Sequence, residues 1–390
     1  MILHVAIGPE LSWHRLDPGT GAVERLGAVQ LPANVQYAWP HPRLPVLYVG
    51  SSDRSGGQAG TAHALSAFRV DPDTGALAPH GAPVALPARP VHLSVDPTGT
   101  RALVACNHPS LLLVHGIDAD GVPGTEIGRA EAPDSGVFAH QVRATPDGRQ
   151  AILVTRGNDA TAGRPEDPGA LMLFDLGPDG APRPVQRVAP NGGIGFGPRH
   201  LDFHPTRPWV FLAVERQSRL QVYALENGRL SDAPLFDLPS RAGTDAEPPI
   251  PEQWAGAIRV HPDGQALFLS NRPEHFIPDD EHGALHGGGE NSVAAFRIDP
   301  ETGEPTLLDG VDPVGFHVRT MALDAAAGVL VAASVRPRAV RGADGTVTEV
   351  PATLASFRVG ADGALRPLAT HPVAVGEDSL FWVGAWTPPA

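Results

Sequence analysis

The sequence predicts an all-β protein made of seven similar units, on three observations. A strand-like apolar run followed by a Gly-containing turn occurs seven times, from Leu16–Gly21 to Val359–Gly363, with a mean period of roughly 57 residues. Gly (44 residues) and Pro (42 residues) are spread evenly along the 390-residue chain, which suits short strands punctuated by turns. Between these turns, apolar runs alternate with short turns in the manner of hairpins.

Each predicted hairpin consists of two apolar runs joined by a turn built on Pro, Asp or Gly. Alternation of apolar with small or polar residues, together with many β-branched side chains, predicts antiparallel strands. With the strands of a unit named A to D in order, the hairpins are A–B pairs. The six hairpins are Val35–Ser51, Val91–Asn107, His140–Arg156, Arg199–Glu215, Ala257–Arg272 and Arg319–Ser334.

Seven turns against six hairpins leave one unit incomplete, and the two chain ends supply its strands. Ile2–Ile7, Leu11–Leu16 and Val23–Leu31 would be strands B, C and D, and Ser379–Ala385 would be strand A. A unit closed by both termini removes exposed sheet edges. The sequence therefore predicts a seven-bladed β-propeller of four-stranded antiparallel blades, with residues 1–390 forming a single domain.

Composition narrows the possible partners and the compartment. All 29 basic residues are Arg, so Schiff-base chemistry on a lysine is excluded. The formal net charge of −14, without a cationic run, argues against nucleic acid or an anionic membrane surface as partner. A single cysteine, Cys106, cannot form an internal disulfide, and the chain contains no run of about twenty apolar residues. We expect a cytoplasmic protein, and nothing in the sequence indicates its oligomeric state.

In such a blade, the starts of A strands and the ends of B strands share one face, here called the upper face. Connections on the lower face are short, whereas those on the upper face are long. Long loops on one face of a rigid scaffold usually carry function. The predicted upper loops are Ser52–Ala64, Gly157–Gly169, Pro184–Pro198, Pro239–Ala255, Pro273–Asn291 and Arg336–Ala352.

Chargeable and polar residues occupy the A-starts and B-ends nearest the predicted central channel. Because they come from different blades and share one register, a common site is favoured over independent solvated rim residues. The predicted catalytic residues are His140, Arg199, Glu215 and Arg272, and the predicted substrate-binding residues are Asn107, Arg156, His200 and Arg319.

No metal or cofactor is expected from the sequence. His275, His282, His286 and Glu290 match no zinc or iron spacing, and their Gly-rich surroundings favour a mobile lid. A Gly-x-Ser-x-Gly motif is absent, so a serine hydrolase is not indicated.

Four segments of the chain match the pattern of a known family: Gly197-Pro-Arg-His-Leu-Asp-Phe-His-Pro205, Trp254-Ala-Gly-Ala-Ile-Arg-Val-His-Pro-Asp-Gly264, Ser270-Asn-Arg272 and Phe381-Trp-Val. They resemble the seven-bladed lactonase family, which holds bacterial 6-phosphogluconolactonases of the propeller type and fungal carboxy-cis,cis-muconate cyclising enzymes. The resemblance spans nearly the whole chain and implies a His, two Arg and a Glu at the channel mouth, matched here by the four predicted catalytic residues. Longer loops and Arg216 after Glu215 depart from the phosphogluconolactonase pattern.

These residues and the resemblance predict a metal-independent lactonase that opens a sugar-acid lactone by general base catalysis. His140 would accept the proton, Glu215 would orient it or be the alternative base, and Arg pairs suit an oxyanion, a carboxylate or a phosphate. We expect His140→Ala and Arg272→Ala to lower turnover about a hundredfold or more with little change in melting temperature.

Two other functions stay open at this stage. A muconate-type lactonising cycloisomerase would use the same residues but would not take up water. A non-enzymatic binding scaffold would present aromatic residues on its long loops, and those loops offer little beyond Trp254 and Phe276.

Overall fold

Each predicted unit is a separate antiparallel sheet in the computed structural model, which describes residues 1–54, 59–241 and 252–389. The first strands are β1 (Ile2–Ile7), β2 (Glu10–Leu16), β3 (Val23–Gln30), β4 (Asn34–Pro40), β5 (Val46–Ser52), β6 (His63–Val70), β7 (Leu77–Pro79), β8 (Val84–Ala85), β9 (Pro90–Val95), β10 (Arg101–Asn107), β11 (Ser110–Ile117) and β12 (Pro123–Ala130). The next are β13 (Ala139–Ala144), β14 (Gln150–Thr155), β15 (Ala170–Leu176), β16 (Pro182–Val188), β17 (Pro198–Phe203), β18 (Trp209–Val214), β19 (Arg219–Glu226), β20 (Arg229–Leu230) and β21 (Phe236–Pro239). The last are β22 (Gln253–Val260), β23 (Ala266–Pro273), β24 (Phe276–Asp279), β25 (Gly283–His286), β26 (Ser292–Ile298), β27 (Pro305–Val311), β28 (Val318–Asp324), β29 (Val329–Ser334), β30 (Arg338–Arg341), β31 (Val347–Val350), β32 (Ala352–Val359), β33 (Leu365–Val373) and β34 (Leu380–Trp386).

The two chain ends share one blade, as predicted. Strand β34 pairs antiparallel with β1, with Val383 opposite Val5, and the sheet continues through β2 and β3. This composite sheet is blade 1, and blades 2 to 7 follow along the chain with inner strands β4, β9, β13, β17, β22 and β28. The predicted seven-bladed β-propeller is confirmed.

Seven hydrophobic clusters hold the blades together, and each lies between two neighbouring sheets. Strand β10 shows how the sequence produces this. Because successive side chains point to opposite sides of a strand, Leu103 and Ala105 pack toward blade 4, whereas Ala102, Val104 and Cys106 pack toward blade 2. A blade buried on both faces therefore has continuous apolar runs, and Cys106 is a buried core thiol.

The Gly of the repeated C–D turn has a steric reason, which Gly303 illustrates. The Asp299 carboxylate accepts hydrogen bonds from the backbone N–H groups of Glu301 (2.9 Å) and Thr302 (2.8 Å), and this turn leaves Gly303 at φ +79°. A Cβ at Gly303 would lie 2.6 Å from the Trp209 ring. Only glycine satisfies both the left-handed backbone and the close ring.

Gly303→Ala is therefore expected to lower the free energy of unfolding by about 2–4 kcal/mol, from left-handed strain plus the clash with Trp209. Gly345→Ala is the matched control: its φ is +85° but no atom lies within 4 Å of the new methyl group. It is expected to cost only the strain, about 1–2 kcal/mol. Urea unfolding measures both variants, and equal losses would contradict the steric account.

The upper-face connections differ in part from the predicted loops. Strand β16 extends to Val188, so the loop predicted from Pro184 begins at residue 189. The predicted loops Pro273–Asn291 and Arg336–Ala352 each fold into a hairpin, because turn residues such as Asp279 accept backbone N–H groups. Parts of Ser52–Ala64 and Pro239–Ala255 lie outside the described residues.

The two hairpins join into one small sheet, here called the cap sheet, made of β24, β25, β30 and β31. A parallel bridge between Leu285 and Ala339 connects them, and Arg341 pairs with Asp279 at 2.6 Å. The hairpins of the cap sheet arise from the upper ends of blades 6 and 7.

Across the described residues, no helix is long and apolar enough to cross a membrane.

Candidate functional site

Every inner strand carries a β-bulge near its upper end. An extra residue in one strand bends it locally and re-aims a side chain. In blade 6, Gly256 and Ala257 together lie opposite Ser270. The extra residues of the other inner strands are Gln36, Val91, His140, Arg199, Arg319 and Phe381. Three predicted site residues therefore occupy one repeated structural position.

The Glu215 carboxylate lies at the centre of the site and pairs with three guanidinium groups. Arg199 places Nε 2.9 Å from Oε1, Arg272 places Nη2 against the same oxygen, and Arg156 places Nε against Oε2. Glu215 follows β18 and Arg156 follows β14, whereas Arg199 is the second residue of β17 and Arg272 the last but one of β23. We call these four residues the guanidinium cluster.

The electrostatics of the guanidinium cluster are dominated by positive charge. Burial alone raises the pKa of Glu215, but the charges of Arg272, Arg199 and Arg156 outweigh burial and hold that pKa well below its usual range. Glu215 is consequently ionised at neutral pH and both of its oxygens are engaged. Arg156 also pairs with Asp159 at 2.9 Å, so three guanidinium groups face two carboxylates and one positive charge is in excess.

His140 lies beside the cluster as a neutral imidazole. Its ring is 5.1 Å from that of His200, edge to face, and its Nδ1 atom is buried without a hydrogen-bond partner. Burial and the charge of Arg199 lower the pKa of His140 well below 6.5. The imidazole is therefore in its proton-accepting form at neutral pH.

Two further residues brace Arg272, and sequence reasoning missed both. His317 places Nε2 3.1 Å from Nη1 of Arg272, and its Nδ1 lies 2.5 Å from Oε1 of Glu274. Burial and Arg272 lower the pKa of His317 to about 4, so its neutral ring donates from Nδ1 to Glu274 and accepts from Arg272. The available signal was proximity: Glu274 lies two positions after Arg272, and His317 two before Arg319.

Trp254 is a third residue that sequence reasoning did not assign to the site. The guanidinium carbons of Arg156 and Arg272 both lie 5.8 Å from its ring centroid. Phe276, the other loop aromatic, packs 4.5 Å from the guanidinium of Arg338. Trp254 and Phe276 are the two loop aromatic residues that a binding scaffold could have presented to a partner. Both pack against arginine side chains of this region.

The remaining predicted residues fall in different places. Arg319 lies over the Phe381 ring, 3.8 Å from its centroid. His200 is buried below His140. Asn107 ends β10 with its Oδ1 buried and unpartnered, and in the described part of the chain no hydrogen bond or ion pair joins it to the guanidinium cluster.

A cleft of about 620 Å³ opens beside the cluster. Glu274, His317 and Phe381 line it together with residues of the cap sheet. A cavity of about 710 Å³ lies on the lower face, between turns that include His204 and Thr145. Neither cavity is lined by a member of the guanidinium cluster, but the upper cleft is lined by His317, which contacts Arg272, and so lies next to the cluster.

The histidines of the cap region have other partners. His282 pairs with Asp279 at 2.9 Å, and the His286 ring packs 4.5 Å from that of Phe316. Within residues 1–54, 59–241 and 252–389, no group of three or more His, Cys, Asp or Glu side chains is arranged to hold a metal ion. The cap histidines make a surface hydrogen bond and a ring contact.

Comparisons with known proteins agree with the fold. The family profile described as "Lactonase, 7-bladed beta-propeller" matches residues 6–341. The chain is similar to a Lactobacillus plantarum protein (21% identity, 97% of each chain covered, TM-score 0.69). It is also similar to the periplasmic gluconolactonase of Pseudomonas aeruginosa (21% identity, 96% of this chain and 97% of that one, TM-score 0.68). A Bacteroides fragilis protein provisionally named a 6-phosphogluconolactonase shares 19% identity, with 95% of each chain covered and a TM-score of 0.68. At these identities the structures show the fold, and the cytoplasmic location stays a prediction.

Proposed function

Because the chain belongs to the seven-bladed β-propeller lactonase family, we propose that it hydrolyses a sugar-acid lactone at the upper mouth of its channel. The observation that carries the proposal is the guanidinium cluster with its excess positive charge beside the neutral ring of His140. The gluconolactonase among the similar structures supports the substrate class.

In the proposed reaction, Nε2 of His140 takes a proton from a water molecule as its oxygen bonds to the lactone carbonyl carbon. Nε2 is assigned because Nδ1 is buried. Negative charge develops on the carbonyl oxygen, where Arg199 and Arg272 stabilise it. The ring C–O bond then breaks and His140 returns the proton to the leaving oxygen, which yields the hydroxy acid.

Glu215 is assigned a positioning role in this scheme, and His140 is assigned as the base. A carboxylate whose oxygens pair with three cations has little tendency to accept a proton. Its function is to fix the guanidinium groups before substrate arrives, which avoids reorganisation during the reaction.

The test is acid release from a panel of lactones, comprising glucono-δ-lactone, its 6-phosphate and muconolactone, followed by pH-stat with the spontaneous rate subtracted. We expect the protein to accelerate hydrolysis of at least one sugar lactone. A folded sample that accelerates none of them overturns the proposal. Conversion of a muconate to its lactone, without uptake of water, would identify a cycloisomerase instead.

The pH dependence of kcat/KM is expected to follow the neutral form of His140. Because the pKa of His140 is lowered, the accepting form is present above that pKa and is lost only as pH falls through it. Activity should therefore stay level from neutral pH to below 6.5 and decline at more acidic pH. Initial rates in buffers of constant ionic strength measure this, and a midpoint at or above 6.5 would contradict the assignment.

A further inference from the structure

A further cavity lies at the lower end of the central channel and has a volume of about 230 Å³. Six of the seven inner strands contribute residues near their lower ends to it. About 150 Å³ is enough space for a benzene ring, so a single-ring molecule with one small substituent fits. We call it the channel-end cavity and define it by Trp39, Arg143, Asp202, Arg259, Trp382 and Trp386.

Three indole rings form the aromatic part of the channel-end cavity. Trp382 and Trp386 are buried, and they face the same side of β34 because they are four positions apart along a strand. Gly384 lies between them, and a Cβ there would be 2.3 Å from the Trp382 ring, so glycine is what lets that ring lie across the strand. Trp39, from β4, is partly exposed. Flat apolar faces of this kind bind a planar ring by stacking.

Trp386 adds an unused hydrogen-bond donor to this aromatic part. Its Nε1 atom is buried and has no hydrogen-bond partner among the residues that the structure describes. A buried indole N–H is normally hydrogen-bonded, because an unpaired donor away from water costs free energy. An acceptor oxygen on a ligand in the cavity would remove that cost.

The charged part of the cavity consists of two guanidinium groups and one carboxylate. Arg143 places Nη1 3.0 Å from Oδ1 of Asp202, and its guanidinium carbon lies 4.7 Å from the centroid of Trp39. Arg259 forms no ion pair within the described part of the chain, and it donates a long hydrogen bond of 3.5 Å to the Tyr37 hydroxyl. One positive charge is therefore in excess, and it lies next to the indole rings.

The channel-end cavity is separate from the proposed lactone site. Arg143 follows His140 by three positions in β13, and Asp202 follows Arg199 by three positions in β17. Three residues of a strand span about 10 Å. None of the described residues that line the channel-end cavity belongs to the guanidinium cluster. A ligand held there would not occupy the position of the lactone.

We propose that the channel-end cavity is a second small-molecule site, which binds a single-ring aromatic carboxylate. Its ring would stack on the indole faces, and its carboxylate would supply a negative charge for Arg259 and an acceptor for Trp386. A flat carboxylate suits the limited volume better than a tetrahedral phosphate. The inference does not depend on the proposed lactonase function, because it uses other residues.

Calorimetry with three probes tests the chemistry of the ligand. Benzoate has the ring and the charge, benzyl alcohol has only the ring, and acetate has only the charge. We expect benzoate to bind with a Kd of about 0.1–1 mM. Benzyl alcohol and acetate should bind about tenfold more weakly or worse, since each lacks one of the two contacts. Acetate that binds as tightly as benzoate, or benzoate that does not bind at about 10 mM, would overturn the proposal.

Variants of the cavity test which residues hold the probe. Arg259→Gln removes the excess charge and is expected to raise the Kd of benzoate about tenfold or more. Trp386→Phe keeps an aromatic ring but removes the N–H, and a rise of about three- to tenfold is expected. Arg149→Gln, in an exposed lower-face turn, is the matched control and should bind benzoate like the wild type. Wild-type affinity in both cavity variants would show that benzoate binds elsewhere.

Crystals of the wild type soaked with 4-bromobenzoate locate the ligand directly, which keeps the proposal testable if Arg259→Gln does not fold. The anomalous signal of bromine is expected in the channel-end cavity, and a signal only beside the guanidinium cluster overturns the proposal. Benzoate bound in the channel-end cavity, without hydrolysis of any lactone, would remove the proposed function and keep this site. Lactone hydrolysis without such binding would do the reverse.

Discussion

Glu215→Gln is expected to lose nearly all activity and to unfold far more easily than the wild type. The substitution keeps the shape of the side chain but removes the charge that three buried guanidinium groups share. Breaking a buried pair by removing one partner costs about 3–5 kcal/mol of unfolding free energy, because the remaining charge is uncompensated. Misplaced arginines would also lower kcat/KM by about a thousandfold. Urea unfolding and initial rates measure the two effects.

The matched control is Glu226→Gln, which makes the same chemical change at an exposed lower-face position. Its free energy of unfolding should stay within about 0.5 kcal/mol of the wild-type value. Its kcat/KM should equal that of the wild type. If Glu215→Gln unfolds like the control, the cluster is not held by its carboxylate. If it retains activity within about tenfold, the positioning role of Glu215 is wrong.

The same geometry changes one expectation drawn from the sequence. Sequence reasoning treated His140 and Arg272 alike and expected either alanine variant to keep its melting temperature. Arg272 pairs with Glu215 and also donates to the Ala255 carbonyl at 3.1 Å, so its loss removes structural contacts as well as a catalytic group. The Nδ1 atom of His140 has no hydrogen-bond partner among the residues that the structure describes, and for His140 the original expectation stands.

The sequence was sufficient for the fold because the repeat leaves little choice. A period of roughly 57 residues with two hairpin signals per unit predicts four strands in each unit. The N-terminal unit has only three strands of its own, and β34 pairs with β1 as the fourth. The shared register of A-starts and B-ends was also sufficient to bring Arg156, Arg199 and Glu215 into one contact group.

What the sequence did not indicate depends on contacts between distant segments. The cap sheet relies on one parallel bridge between Leu285 and Ala339, which no local period encodes. The bulges depend on how two strands pair, so Phe381 was not recognised as the counterpart of Arg319. Which arginines pair with a carboxylate is likewise decided by contacts between distant segments and cannot be read from the sequence.

His140→Asn is expected to lower kcat/KM about a hundredfold or more, because asparagine offers no basic nitrogen to accept the proton of water. The free energy of unfolding should change by no more than about 1 kcal/mol, since no side-chain hydrogen bond to a described residue is lost and the asparagine amide replaces a nitrogen that is already buried and unpartnered. Initial rates on the accepted lactone and urea unfolding measure the two quantities.

The matched control is His92→Asn, deeper in the same channel. His92 is fully buried, both of its ring nitrogens lack hydrogen-bond partners, and its ring lies 5.9 Å from that of His200. The loss of packing is therefore comparable, but a water molecule attacking a substrate at the mouth is out of reach of His92. If His140 is the base, only His140→Asn loses turnover. Equal losses would mean that both rings act through packing of the channel, and the proton acceptor would have to be sought elsewhere.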